Sequence, residues 1–191
     1  LGAAGALLDY ARQTQGSALP HVTALIRESA DQYLTLDAAT RRNLELTETI
    51  RNETSPCLLS TLDSCASSMG SRLLRFWLHH PLRDRGVIES RLQAVEALRE
   101  QATLDDLRGL LRRMADIERI NARIALRSAR PRDLSGLRDT LVQLPAVVAL
   151  LGDDTSDSLR QIRSLLATPC AAQGMLVRSI LPEPSVMLRD G

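Results

Sequence analysis

The stretch Pro131-Arg-Asp-Leu-Ser-Gly-Leu-Arg-Asp-Thr-Leu-Val-Gln-Leu-Pro-Ala-Val-Val-Ala-Leu-Leu151 decides the fold class. Leu134, Leu137, Leu141, Leu144, Val148 and Leu151 step by three and four residues, which gathers the apolar side chains on one side of an α-helix. Proline at its head suits a first helical turn, where an amide hydrogen would have no intrahelical acceptor anyway. As one helix, Leu134 to Leu151 extends about 27 Å. A seam of this kind requires a partner helix along its length, and Pro145 within it predicts a kink or a split.

The same rhythm extends in both directions. Leu104, Leu107, Leu110, Leu111, Met114, Ile117, Ile120 and Ile124 predict a long, slightly kinked helical run. Asp84 caps a helix whose buried stripe is read as Ile88, Leu92, Val95 and Leu98. Met69 to His80 carries Leu73, Leu74, Trp77 and Leu78 on one side and stops at Pro81, while Leu58, Leu59 and Leu62 form a short helix after the Ser55-Pro56 break. Asp37 is the N-cap of a helix beginning at Ala38. Residues 3–15 form an amphipathic helix with Ala6, Leu7, Tyr10, Ala11 and Thr14 on one face, ended by Gly16, Ser17 and Pro20. Between His21 and Asp37 the texture changes: short extended segments around Ser29-Ala30-Asp31 predict a β-hairpin near residues 22–36. Beyond the acidic loop from Gly152 to Asp157, Leu159, Ile162, Leu165 and Leu166 begin another helix, and the tail from Leu181 turns proline-rich and extended. The fold class is therefore all-α, a multi-helical array with that one hairpin. Residues 1–56 hold an N-terminal helix, the extended segments and a helix; residues 57–191 hold the helical array.

Composition agrees. Hydrophobic residues make up 44% of the chain and aromatics only 2%, so the core is built from Leu, Ile, Val and Ala, which favours helices over sheets. The 24 basic residues are all arginine and face 23 acidic ones, so no bulk field draws the chain to a polyanion. The absence of lysine removes a phosphate-loop lysine, a Schiff base and a lysine general base, and with them a Walker-type ATPase site in this stretch. Cys57, Cys65 and Cys170 lack paired spacing and read as reduced, buried thiols. No apolar run reaches the roughly 20 residues that span a bilayer. The Leu1 start and the end at Arg189-Asp190-Gly191 are those expected of a piece of a longer chain.

The search for chemistry returns little. His79 and His80 are adjacent, so on a helix they point about 100° apart and are poorly placed to ligate one metal. His80 with Cys65 lacks a third group to orient a nucleophilic pair. The carboxylates sit beside arginines on polar faces, as Glu118 does with Arg119 and Arg123, and Asp133 with Arg132, and read as solvated helix pairs. No catalytic, cofactor-binding or metal-ligating residue is expected. Two arginine clusters are dense enough to form a surface that meets another domain or DNA: Arg41-Arg42, and Arg72, Arg75, Arg83 and Arg85 around Trp77. Residues 57–82 also allow a helix-turn-helix reading, with Ser71 and Arg72 offered at the start of the second helix.

Four motifs carry a resemblance. In order, Leu36-Asp-Ala-Ala-Thr-Arg-Arg-Asn-Leu-Glu-Leu46, Met69-Gly-Ser-Arg-Leu-Leu-Arg75 followed by Trp77-Leu78 and Pro81-Leu82-Arg-Asp84, Asp116-Ile-Glu-Arg-Ile120, and Ala129-Arg-Pro-Arg-Asp-Leu134 resemble the MutS family of DNA mismatch-repair proteins. The resemblance covers essentially the whole chain and implies the first part of the core, or lever, domain. That domain joins the mismatch-reading and clamp parts to a DNA-dependent ATPase using ATP and Mg. The Phe-x-Glu wedge of the mismatch-reading domain is not matched, since Phe76 is followed by Trp77-Leu78. The mismatch-reading, clamp and ATPase domains are expected outside this stretch. Asp37, Arg41, Asn43, Glu45, Gly70, Arg72, Trp77 and Pro81 match motif positions and read as caps, turns and packing. Also implied are a cytoplasmic, nucleoid-associated bacterial protein, mismatched duplex DNA reached through other domains, a homodimer, a MutL-type repair partner and no membrane. With part of the core missing, the Leu134–Leu151 seam is the face expected to lie open or to pair in a dimer. The competing reading is a free-standing helical DNA-binding module over residues 57–82.

Overall fold

A computed structural model describes residues 2–16, 19, 22–24, 30–100, 103–152, 156–166 and 170–185. The chain divides into two compact units, Leu1–Ala30 and Asp31–Gly191. The first contains α1 (Gly2–Gln15), closed by Gly16 in the left-handed region (φ +59°), where the Gly16 amide donates to the Arg12 carbonyl at 3.0 Å. Its expected apolar face is largely uncovered, with Leu7 and Tyr10 both exposed.

The second unit is a helical array. Its helices are α2 (Ala38–Asn43), α3 (Leu58–Leu62), α4 (Ser68–His79), α5 (Arg85–Glu100), α6 (Leu104–Arg113), α7 (Ile117–Ala125), α8 (Pro131–Leu150), α9 (Asp157–Leu165) and α10 (Cys170–Ser179). Most starts are explained by a short side chain that accepts an otherwise orphaned amide hydrogen. The Asp37 carboxylate accepts from the Thr40 amide at 2.6 Å, Ser67 from Gly70 at 3.2 Å, Asp84 from Gly86 at 2.8 Å, and Ser156 from Leu159 at 3.1 Å. Asp133 accepts from the Arg130 amide at 2.9 Å beside Pro131, the first residue of α8. The second unit is thus all-α, and among the described residues no helix is long and apolar enough to cross a membrane.

The expected hairpin is not seen in the residues that can be described; positions 25–29 lie outside them. Val22 to Ala24 has no regular structure, Ala30–Gln32 is a 3-10 turn, and Tyr33 makes a single antiparallel bridge to Leu82, far along the chain. The extended texture therefore serves to strap residues 33–34 along the end of α4, where the Leu34 amide donates to the Pro81 carbonyl at 2.8 Å. Tyr33 meets the Phe76 and His80 rings edge-on, and those two rings stack at 4.3 Å.

α8 is the central element, packed against α6, α7 and α10, while α5 packs on α9. Buried Ala94, Leu107, Val147, Leu151 and Leu159 form one core cluster, flanked by Leu98, Leu110, Leu111, Met114, Leu150 and Leu166. The seam expected to be open is covered from within this chain: Leu141, Leu144, Val147 and Leu151 are all buried. Val147 rather than Val148 is the fully buried valine, because a straight helix drifts off a strict heptad. α8 also runs without a break through Pro145, which faces solvent.

Three other expectations are corrected. The run from Leu104 to Ile124 is two helices, since Met114 to Asp116 leave the helix and Asp116 starts α7 by accepting from the Arg119 amide at 3.2 Å. On α5 the inward face is Ala94 with Ala97 and Leu98, whereas Leu92 and Val95 are exposed, so small residues rather than the larger ones admit α9. α10 was not foreseen, its small-residue composition giving almost no stripe.

Thr140 is the one fully buried polar side chain of α8, with 0% exposure. Its hydroxyl donates to the Gly136 carbonyl at 2.8 Å and accepts from the Ala115 amide at 2.9 Å, fixing the break before α7. A Cβ on Gly136 would stand 3.1 Å from the Ala115 Cβ, so the two segments touch closely there. Thr140→Val leaves the half-buried Ala115 amide hydrogen without its acceptor, and is expected to destabilise the chain by about 1–3 kcal/mol in urea unfolding.

Candidate functional site

The arginines singled out in the sequence separate into distinct environments. Arg72, Arg75 and His79 lie on one stripe of α4, since positions three and seven apart return to nearly the same side of a helix. Arg72 and His79 are two turns apart, on the order of 10 Å along the axis.

At the N-terminal end of that stripe, Arg72 is clamped by the start of α7. Its two terminal nitrogens donate to the two Asp116 carboxylate oxygens, each at 2.7 Å, and it also reaches Glu118 at 2.5 Å and 3.2 Å. Asp116 further accepts from the Ser68 hydroxyl at 3.1 Å and caps α7. The Arg72 guanidinium, assisted by the Arg119 amide and Ser68, holds the Asp116 carboxyl well below the usual carboxylate range. This bidentate arrangement joins two helices 44 residues apart in sequence. Asp116 and Glu118 were missed as its partners because Glu118 was assigned to Arg119 and Arg123. Arg123 instead pairs with Asp133 at 2.5 Å.

The clamp also bears on the helix-turn-helix reading. α3 is five residues long, the Ser71 hydroxyl donates to Asp63 at 3.0 Å, and Arg72 is committed to α7. The polar side chains that a recognition helix would present are thus engaged within the chain. Cys65 and His80 lie at opposite ends of α4, whose 12 residues span about 18 Å, so they do not form a pair. Cys65, expected to be buried, is exposed, and the partial desolvation of its thiol, with Asp63 beside it, pushes it up. Cys57 is buried and its sulfur caps α3, accepting from the Ser60 amide at 3.4 Å; the side chain of Cys170 lies outside the described residues.

At the other end of the stripe, α4 meets α2 and the loop that follows it. The Arg41 Nε donates to the Leu36 carbonyl at 3.1 Å, and an Arg42 terminal nitrogen donates to the Ile50 carbonyl at 3.1 Å. Arg75 stands 3.8 Å from Glu48 in a solvent-exposed ion pair. Together Ala38, Arg41, Arg42, Thr47, Glu48, Thr49, Asn52 and His79 line a cleft of about 300 Å³. The His79 Nε2 lies 3.2 Å from the Thr47 hydroxyl, while its Nδ1 is buried without a hydrogen-bond partner among the described residues. Burial, with the positive field of Arg41, Arg75 and His80, holds His79 below the ordinary imidazole value and therefore neutral at pH 7.

The structure therefore brings Arg41, Arg42 and Arg75 together around His79, and commits Arg72 to a structural clamp. Arg83 and Arg85 belong to neither group. Both are exposed, Arg83 just before α5 and Arg85 as its first residue, and the Arg83 amide donates to the Gln32 carbonyl at 3.1 Å. Nearby, the Arg91 guanidinium lies 4.0 Å over the Trp77 ring, which explains how that indole sits at the surface. Over residues 39–191, well over half of the chain, the sequence matches the family model of MutS domain III.

Proposed function

The chain belongs to the MutS family of DNA mismatch-repair proteins, and from that premise we propose that it is a lever: a packed helical segment that couples mismatch-bound DNA and the clamp to the family's ATPase. The observation that carries this reading is the Arg72 clamp on Asp116 and Glu118, which locks α4 to α7 at a point where α7 is itself packed on α8. Helices joined in this way move as near-rigid bodies, so a shift imposed at one end reaches the other. The chemistry belongs to the parent's other domains: ATP with Mg at the ATPase, mismatched duplex at the reading and clamp domains, in a homodimer that engages a MutL-type partner.

A duplex-binding titration tests the lever against a self-sufficient DNA-binding module. Direct phosphate contacts give an affinity that falls steeply as salt rises, by about one log unit per log unit of salt for each neutralised phosphate. The lever reading expects weak duplex binding by this chain, with a Kd above about 1 μM at physiological salt. Submicromolar binding under those conditions, lost with Arg83→Gln or Arg85→Gln, would sink it.

A further inference from the structure

The cleft at the C-terminal end of α4 is not needed for the lever. Arg41 and Arg42 are each held by a backbone carbonyl, Leu36 for one and Ile50 for the other, and among the described residues neither is paired with a carboxylate. Their remaining guanidinium hydrogens are therefore pre-positioned and unspent. Glu48, the one carboxylate lining the cleft among the described residues, stands 3.8 Å from Arg75. Asn52, Thr47, Thr49 and His79 complete the lining, the Thr49 hydroxyl accepting from the Glu53 amide at 3.1 Å and the Thr47 hydroxyl lying 3.2 Å from the His79 Nε2. Asn52 itself adopts a left-handed backbone (φ +64°), with its amide donating to the Thr49 carbonyl at 2.8 Å, so the loop is turned by a local hydrogen bond.

Two fixed guanidinia, an imidazole, a carboxamide and hydroxyls in one recess form a donor-rich set suited to an oxyanion. We propose that this cleft binds the phosphate group of a small ligand, inorganic phosphate or a phosphate monoester. A duplex backbone fits the surroundings less well. Arg41 and His79 are half-buried and Thr49 is buried, whereas a duplex requires a row of exposed cations. The same loop also carries Glu45, Glu48 and Glu53, which repel an extended polyanion but leave room for a single phosphate.

The test is a titration of the 191-residue chain with inorganic phosphate at low ionic strength, read by calorimetry and by the ring-proton NMR signals of His79, assigned with His79→Gln. Saturable binding is expected with a Kd on the order of 1 mM. Bound phosphate offsets the field of Arg41 and Arg75, which together with His80 outweighs that of Glu48 at the imidazole, so the His79 titration midpoint rises on binding. Arg42→Gln weakens binding by about tenfold or more. Asn52→Asp places a carboxylate in the cleft, leaves both arginine tethers in place and abolishes binding with an unchanged circular dichroism spectrum. Arg85→Gln, outside the cleft, has no effect. The proposal is overturned if phosphate gives no saturable signal, if chloride at equal ionic strength reproduces it, or if Asn52→Asp binds as the parent does. Displacement of bound phosphate by micromolar duplex would assign the site to a nucleic-acid backbone and equally overturn the small-ligand proposal. None of these outcomes moves the α4–α7 clamp, so the lever reading stands or falls separately.

Discussion

Leu141→Asp is expected to destabilise the chain by at least about 3 kcal/mol, because it places an unpaired carboxylate on the buried face of α8. Leu141 is 7% exposed and lies one turn from Leu144, which is also buried, on the face of α8 that the neighbouring helices cover. Removing the leucine side chain forfeits roughly 1.5–3 kcal/mol of transfer free energy before any cavity forms. The carboxylate that replaces it must then either stay charged without a partner or take up a proton. Val142→Asp serves as the control. Val142 is 49% exposed, next in sequence but on the open side, so its replacement is expected to change stability by less than about 1 kcal/mol apart from a small loss of helix propensity. Urea unfolding of the two variants checks both statements. Equal midpoints for Leu141→Asp and the parent would show that the α8 seam is not core.

Asp116→Ala is the second large effect, about 2–4 kcal/mol, because one side chain performs three tasks. It caps α7, which alone is worth about 1 kcal/mol, and it accepts both terminal nitrogens of Arg72 and the Ser68 hydroxyl. The ion pair itself is discounted for solvent, since the Arg72 side chain is 35% exposed and that of Asp116 19%. Asp116→Asn separates the terms, retaining a capping oxygen while removing the charge. The pH dependence follows from the lowered carboxyl. A group whose folded value lies below its unfolded value of about 4 contributes fully above that pH and loses the contribution as pH falls through the folded value. Stability should therefore decline below about pH 4, and the drop between pH 7 and pH 3 should be smaller in Asp116→Asn than in the parent. An identical drop in both would show that Asp116 carries no linked proton. A double-mutant cycle of Arg72→Ala with Asp116→Ala isolates the coupling across the α4–α7 junction on which the lever reading depends.

What was legible in advance was local. Asp37 and Asp84 cap the helices they were assigned to, Pro131 opens α8, Pro81 follows the end of α4, and Leu107, Ile120, Leu141, Leu144 and Leu151 are buried as their spacing predicts. Each depends on residues within about one or two helical turns, where geometry is set by the helix itself. The motifs from Leu36 to Leu134 identified the family by the same kind of local reading, and the match over 39–191 agrees with it.

Other features depended on which helix came to lie beside which. On α5 the spacing marks Ile88, Leu92, Val95 and Leu98 as the buried stripe, yet Ala94 and Ala97 face inward with Leu98, since close packing on α9 favours small side chains. The break at Met114 to Asp116 was hidden inside a continuous apolar rhythm, because it is held by Thr140 from 25 residues away. Among the arginines, nothing in the sequence distinguished Arg72 from Arg42. The first meets Asp116 and Glu118 across 44 and 46 residues, and the second is tethered to Ile50 on the edge of a recess. By itself, then, the sequence determined most of the helices, the caps at Asp37 and Asp84 and the family, because periodicity and capping act over a few residues. Only the tertiary structure decided which charges are spent on holding helices together and which, among the described residues, meet backbone carbonyls and no carboxylate. Ion pairing depends on where two distant side chains are carried, and that is known only once α4, α7 and the α2 loop have packed.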